Sequence, residues 1–167
     1  MKSILLILFS VIFISPSFSQ NEVQNNFPFV SGYIGAAVPI TSFTKDGVSS
    51  NFNSSASLVF PIGFNLNKSE KFSYSIELDP VITFIGDSSS VANLAILPGV
   101  LLHQKKVTYG IRAAFETNGR YGMSFSLLKN LYKQENYNIV IGLPFDIRVG
   151  NNLPTSLGTG VILVVVI

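Results

Sequence analysis

Hydrophobic and polar residues alternate along most of the chain after the first 27 residues. The period is two, the spacing at which successive side chains of a β-strand point to opposite faces of a sheet. In segment 72–84, Ile76 and Leu78 fall on one face, and Glu77 and Asp79 fall on the other. The same pattern recurs through four segments, each of which predicts a strand: 55–66, 72–84, 106–116 and 137–149.

Four further segments alternate more weakly: 29–40, 91–102, 121–130 and 156–167. Short stretches rich in Gly, Asn, Ser or charge separate them, and short turns join antiparallel neighbours. The sequence therefore predicts an all-β protein with eight antiparallel strands in up-and-down order. Each predicted strand is about 10 to 13 residues long, enough for the roughly 9 to 11 residues with which a tilted strand crosses a bilayer.

Segment 41–54, rich in Ser and Asn, is the one connection long enough to predict a functional loop. Lys45 and Asp46 lie near its expected tip, and Phe43 and Phe52 are placed to anchor its ends. We expect any recognition of an unknown extracellular ligand to involve this loop.

The first residues predict a secretory signal peptide. Lys2 supplies a positive charge, segment 4–14 is apolar but too short to span a bilayer as a helix, and Ser17 and Ser19 are small residues before a cleavage site. Cleavage after Ser19 divides the chain into a signal peptide (1–19), a short polar leader (20–26) and a β-domain (27–167).

Composition indicates which face of the strands meets water. Charged residues make up 12% of the chain, about half of the roughly 25% typical of soluble domains, and the mean hydropathy is +0.44. The face opposite the apolar one carries mostly Ser, Gly, Ala, Thr and Asn, which suit the crowded inside of a narrow barrel. We therefore expect the apolar face to point outward to lipid. Because an open edge in hydrocarbon leaves backbone groups unpaired, we expect a closed transmembrane β-barrel.

This orientation places charged side chains inside the barrel. An eight-stranded barrel is just wide enough to be filled by its own side chains, and buried charges are costly unless paired. We therefore expect a network that plugs the lumen, with Arg112 near Glu77 and Asp79, and with Arg148 near Glu116 or Asp146. The complete set on the polar face is Glu77, Asp79, Lys106, Arg112, Glu116, Asp146 and Arg148.

Proline interrupts the predicted strands. A proline lacks the N–H that a strand ladder needs, and a closed barrel has no edge strand on which to hold it. We expect bulges or strand ends at five positions: Pro39, Pro61, Pro80, Pro98 and Pro144.

Charge and residue counts exclude several functions. Eleven Lys and Arg balance nine Asp and Glu, scattered singly apart from Lys105 and Lys106, so there is no basic stripe for nucleic acid. The absence of cysteine excludes disulfides and a thiol nucleophile. With a single histidine, and no clustered carboxylates beyond Glu77 and Asp79, no metal site and no cofactor are predicted.

Two alternatives to a non-catalytic barrel remain open. An enzyme needs a nucleophile and a base, but His103 falls in a predicted turn, with no serine spaced to share a strand face with it. A soluble or membrane carrier of a hydrophobic ligand is supported by Leu97, Leu101, Val140 and Ile162 on the inward face.

The whole chain resembles the small eight-stranded outer-membrane barrels of Gram-negative bacteria, of the OmpA-barrel and OmpX type. The resemblance is carried by the signal peptide, by segment 35–40 (Gly-Ala-Ala-Val-Pro-Ile), by the alternating hairpins and by the last strand. It implies a monomeric integral outer-membrane protein with a structural or surface-interaction role. Lipid-A-modifying enzymes resemble the same architecture and are the rival that the resemblance brings.

The last strand resembles the assembly signal of these barrels, which is read by the barrel-insertion machinery. Such strands carry outward residues at every second position and usually end in an aromatic residue. Val161, Leu163 and Val165 keep the spacing, and Ile167 stands where the aromatic residue is expected. The resemblance thus implies outer-membrane lipid and the assembly machinery as partners.

Overall fold

The computed structural model describes residues 26–53 and 55–167. The predicted signal peptide (1–19) and most of the predicted leader lie outside the described residues. No helix in the described part is long and apolar enough to cross a membrane. The strands are β1 (Phe29–Thr44), β2 (Gly47–Ser50), β3 (Ala56–Val59), β4 (Ile62–Ser69), β5 (Phe72–Ile85), β6 (Ser88–His103), β7 (Thr108–Glu116), β8 (Tyr121–Lys133), β9 (Asn138–Val149) and β10 (Ser156–Val166).

The strands form an antiparallel up-and-down sheet. From β5 to β10, each strand pairs with the next one along the chain. β1 pairs with β3 and β4 on one side and with β10 on the other, where the register runs from Tyr33 opposite Val166 to Thr44 opposite Ser156. The pairings therefore follow a ring of eight places, one of which is shared by β3 and β4.

The structure has ten strands where the sequence predicted eight. The predicted strand 55–66 is divided at Phe60 and Pro61 into β3 and β4. The amide of Phe60 donates to the carbonyl of Pro80 at 3.0 Å, but Pro80 has no N–H with which to return the bond. Proline on both facing strands therefore interrupts the ladder at this point.

The second additional strand lies in segment 41–54, which the sequence predicted to be a loop. β1 continues to Thr44, and β2 folds back along it with Thr44 opposite Gly47. The amide of Asp46 donates to Oγ1 of Thr44 at 3.2 Å, and Gly47 has a φ of 136°, in the region that favours glycine. Backbone pairing needs no apolar side chains, so the serine-rich sequence did not reveal this hairpin.

The four candidate loop residues are separated by the hairpin. Lys45 and Asp46 form the turn between β1 and β2, at the expected tip. Phe43 and Phe52 are 47% and 65% exposed, so neither anchors the segment by burial, contrary to the prediction.

The five prolines have different effects. Pro39 directly precedes a register shift between β1 and β10, and Pro61 lies at the break between β3 and β4, as predicted. Pro80 lies two residues before a register shift against β6. Pro98 and Pro144 stay inside β6 and β9, where the paired positions on both sides keep the same register. At these last two positions the expected bulge is absent.

The two faces of the strands have the polarity that the alternation predicted. On β5, Glu77 is 5% exposed, whereas its neighbours Ile76 and Leu78 are 49% and 43% exposed. The inside of the ring contains small and polar side chains together with a limited apolar cluster around Tyr33, Val140 and Val164. The structure therefore has a polar interior and an apolar exterior.

Candidate functional site

The interior of the strand ring contains a cavity of about 1030 Å³. Its lining includes residues from both ends of the ring. We call the end where β1 begins and β10 ends the terminal end; it carries the turns 70–71, 104–107 and 134–137. The opposite end, with the turns 45–46, 86–87, 117–120 and 150–155, is the loop end. The lumen is thus not completely filled, contrary to the prediction of a plug, because many inward residues are Ser, Gly or Asn.

Three buried side chains meet in the middle of the interior. The hydroxyl of Tyr33 donates to Oε2 of Glu77 at 2.5 Å. Nη2 of Arg112 lies 3.5 Å from the same carboxylate oxygen and 3.3 Å from the Tyr33 hydroxyl. Arg112 also donates to Oγ of Ser75 at 3.4 Å. Tyr33, Glu77 and Arg112, which we call the central cluster, are each at most 6% exposed.

Glycines on neighbouring strands make room for the central cluster. A Cβ atom at Gly63 would overlap the ring of Tyr33, and a Cβ atom at Gly99 would lie 2.6 Å from Cγ of Arg112. Real Cβ atoms do not approach other atoms so closely. The long side chains of Tyr33 and Arg112 therefore cross the interior where their neighbours have none.

A second charged cluster lies toward the loop end. Nε of Arg148 lies 2.7 Å from Oε1 of Glu116, and Nη2 of Arg148 lies 3.2 Å from Oδ1 of Asp146. Arg120, which the sequence analysis did not single out, donates to Oγ of Ser156 at 2.9 Å beside this cluster. Each predicted arginine thus forms an ion pair with at least one acidic side chain, but five of the six charged residues form two separate groups and the sixth belongs to neither.

Two charged residues differ from the predicted network. Asp79 faces the cavity, and its Oδ1 has no hydrogen-bond partner in the described part of the chain. Asp79 lies near Arg112, as predicted, but forms no ion pair with it, since Arg112 is directed to the other two members of the central cluster. Lys106 is exposed in the turn 104–107, where it lines the cavity opening instead of the lumen.

A serine and the histidine are in contact, which the sequence pattern did not predict. His103 is the last residue of β6, not a turn residue, and its Nε2 lies 2.7 Å from Oγ of Ser73 on β5. Its Nδ1 lies 3.0 Å from Oγ1 of Thr108 on β7. The contact joins two strands across 30 residues of sequence. Spacing within a single strand therefore gave no indication of this contact.

The hydrogen bonds of Ser73 are unsuitable for nucleophilic catalysis. Ser73 is 0% exposed and donates its hydroxyl proton to Oδ1 of Asn67 at 2.7 Å. Nε2 of His103 must then donate to Ser73, whereas a catalytic histidine accepts the proton of its serine. The series of side-chain hydrogen bonds from Thr108 through His103 and Ser73 to Asn67 links β7, β6, β5 and β4.

The four inward apolar residues proposed for a hydrophobic ligand are also divided. Leu97 is 1% exposed and packs with Ala95 and Ala114, away from the cavity. Leu101, Val140 and Ile162 line the cavity. In the described part of the chain, no group of three or more His, Cys, Asp or Glu side chains is placed to hold a metal ion.

No protein-family model matches the chain, and no curated protein matches it. Among solved structures, the chain is similar to the solution NMR structure of the de novo designed TMB2.3, with 10% identity and a TM-score of 0.40. The similarity covers 84% of this chain and 96% of that chain. At that TM-score it assigns neither a family nor a function, so membership of the OmpA-barrel and OmpX type stays a prediction.

Proposed function

We propose that the chain is an integral outer-membrane β-barrel with a structural or surface-interaction role and no catalytic activity. The observation that carries this proposal is the apolar exterior. Each of the eight places in the ring presents large apolar side chains that are exposed in the isolated chain: Ile34, Phe64, Ile76, Ile96, Phe115, Phe125, Phe145 and Leu163 are one from each. Soluble monomers rarely expose contiguous apolar patches larger than a few hundred Å². Lipid covers such a surface without cost.

The pairing between β1 and β10 supports a closed barrel. In hydrocarbon, each unpaired backbone N–H or C=O costs several kcal/mol, so a membrane-spanning sheet must have no free edge. Residues Tyr33 to Thr44 of β1 pair with β10, so the backbone groups of the first and last strands of the ring have hydrogen-bond partners along this edge. The hairpin that β2 forms with the end of β1 lies at the loop end of this β1–β10 pairing.

The exposed tyrosines support the same proposal. Tyr74, Tyr109, Tyr121 and Tyr132 are 44% to 55% exposed, and each lies within three residues of a strand end. Transmembrane barrels carry girdles of aromatic residues at the two membrane interfaces, where the ring is buried and the hydroxyl reaches water. The middle of the exterior is mostly aliphatic and Phe.

The interior supports a structural role rather than catalysis. The central cluster joins three strands by charge-assisted hydrogen bonds, and the serine–histidine contact is oriented away from nucleophilic chemistry. At the loop end, the connection from β1 to β3 is longer than the turns 86–87, 117–120 and 150–155, which leaves its hairpin around Lys45 and Asp46 as the part most able to meet an extracellular partner.

Membrane fractionation with electrophoresis tests the proposal. The full chain is expressed with its export signal, and the outer membrane is separated, washed at alkaline pH and run boiled and unboiled. We expect the protein to stay in the washed membrane and to change mobility on boiling, because a closed barrel resists unfolding in detergent. Recovery from the soluble periplasm with one mobility would overturn the proposal.

A further inference from the structure

The part of the cavity between the central cluster and the terminal end has two unlike walls. The wall formed by β8, β9 and β10 is apolar: Leu128, Val140, Ile162, Val164 and Val166 pack together there with the ring of Tyr33. The facing wall, from β4 to β6, carries polar side chains such as Asn65, Asn67 and His103. An apolar stripe thus lines one side of an otherwise polar interior.

The opening of this part of the cavity is basic. Lys105, Lys106 and Lys133 line it, against Glu135 as the acidic residue of the same turns. All three lysines are exposed, so their ammonium groups are able to move toward a bound anion. Lysines are in fact concentrated at the terminal end, where six of the seven in the described residues lie: Lys68, Lys71, Lys105, Lys106, Lys129 and Lys133.

We propose that this part of the cavity binds a single alkyl chain with an anionic headgroup. The headgroup lies among Lys105, Lys106 and Lys133, and the chain extends along the apolar wall to the ring of Tyr33. The stripe suits the shape of an alkyl chain, since the four steps from Ile162 to Val166 rise about 13 Å in an extended strand. This part is one portion of the whole cavity, whose volume of about 1030 Å³ slightly exceeds the range of small-molecule sites, roughly 300 to 1,000 Å³.

Charge and hydrophobicity both favour this class of ligand. Covering the apolar stripe removes its surface from water, which is favourable for an alkyl chain and not for a sugar or an inorganic ion. A cationic headgroup would meet three lysines and one glutamate at the opening. The polar wall opposite the stripe keeps its contact with water, so one narrow chain fits better than a bulky apolar molecule.

Methyl NMR with dodecanoate tests the proposal. The full-length mature protein, labelled with ¹³C at Leu and Val methyl groups, is placed in phosphatidylcholine nanodiscs and titrated. We expect saturable shifts at Val140 and Val164, which face the interior, and not at Leu163 and Val165, which face outward. Shifts confined to Leu163 and Val165 would mean that dodecanoate enters only the bilayer, and would overturn the proposal. If the protein is soluble, the same titration without nanodiscs reports on the interior, so failure of the membrane proposal is distinguishable.

Lysine variants test the headgroup position. We expect Lys105→Gln with Lys106→Gln to raise the Kd of dodecanoate about fivefold to tenfold, since two exposed ion pairs are lost. The matched control is Lys68→Gln with Lys71→Gln, which removes the same charge at the same end from residues that do not line the cavity. Equal effects of the two double variants, or equal affinity for dodecanoate and dodecyltrimethylammonium, would overturn the assignment of an anionic headgroup to these lysines.

Discussion

Tyr33 and Arg112 contact each other across the full width of the strand ring. The Tyr33 hydroxyl and Nη2 of Arg112 are 3.3 Å apart, although the residues are 79 positions apart in sequence. Four steps of strand pairing separate β1 from β7 in either direction, through β4, β5 and β6 or through β10, β9 and β8. The contact therefore fixes the distance between opposite walls.

Removal of the Tyr33 hydroxyl tests the contribution of this contact. Tyr33→Phe keeps the ring but removes a 2.5 Å hydrogen bond to a buried carboxylate, which leaves Glu77 to Arg112 alone. We expect the free energy of unfolding in lipid vesicles, measured by urea titration, to fall by about 2 kcal/mol. Tyr74→Phe, on the exposed face of β5, is the control and should change it by less than about 0.5 kcal/mol.

Removal of the buried arginine should be more damaging. Arg112→Met leaves Glu77 and the nearby Asp79 without a cation, and breaking a buried pair from one side costs about 3 to 5 kcal/mol. Adding Glu77→Gln to Arg112→Met removes one of the stranded charges, so the double variant should regain much of the lost stability. Urea unfolding of the parent chain and these two variants checks this. An unchanged midpoint for Arg112→Met would contradict the role of the central cluster.

A charge placed at two depths on β5 tests whether lipid covers the exterior. Leu78 lies near the middle of the strand and Phe84 next to its end, and both are exposed on the outward face in the isolated chain. In a bilayer, a lysine at the midplane costs about 2 to 4 kcal/mol, and one near the interface costs about 0 to 1 kcal/mol. We expect Leu78→Lys to impair insertion into vesicles and Phe84→Lys to leave it nearly intact. Equal, small effects would indicate a water-facing exterior.

Two glycines of β1 provide a matched test of the seam between the first and last strands. A Cβ atom at Gly35 would lie 2.3 Å from the carbonyl oxygen of Leu163 on β10, whereas one at Gly32 would make only ordinary contacts at 3.8 Å. Gly35→Ala should therefore lower the free energy of unfolding by about 1 to 3 kcal/mol. Gly32→Ala should stay within about 0.5 kcal/mol of the parent. The difference is lost if β1 and β10 do not pair in the membrane.

The sequence predicted the faces of the strands better than the contacts between them. The alternation around Ile76 and Glu77 determines which side chains share a face, because that depends only on neighbours in sequence. Which side chain contacts Glu77 depends on how the eight places of the strand ring are arranged in space. For that reason the period-two alternation did not predict that Tyr33 places its hydroxyl in the interior.

The alternation of apolar and polar residues also did not predict features that depend on single backbone groups. The break at Pro61 required Pro80 to lie on the facing strand, and the hairpin of β2 required serine-rich segments to pair through their backbones alone. The contact of His103 with Ser73 depended on the register between β5 and β6. Register is set jointly by turn lengths and packing, and no local pattern in this chain specified it.

The uneven distribution of lysine has a consequence for the direction in which the proposed barrel sits in a bilayer. The terminal end carries six lysines and the acids Glu70 and Glu135, whereas Lys45 is the single lysine of the loop end among the described residues. Near an anionic leaflet each lysine contributes about 1 kcal/mol of attraction. In vesicles whose two leaflets differ in anionic lipid, we therefore expect the proposed barrel to have a preferred orientation, with the terminal end on the more anionic side.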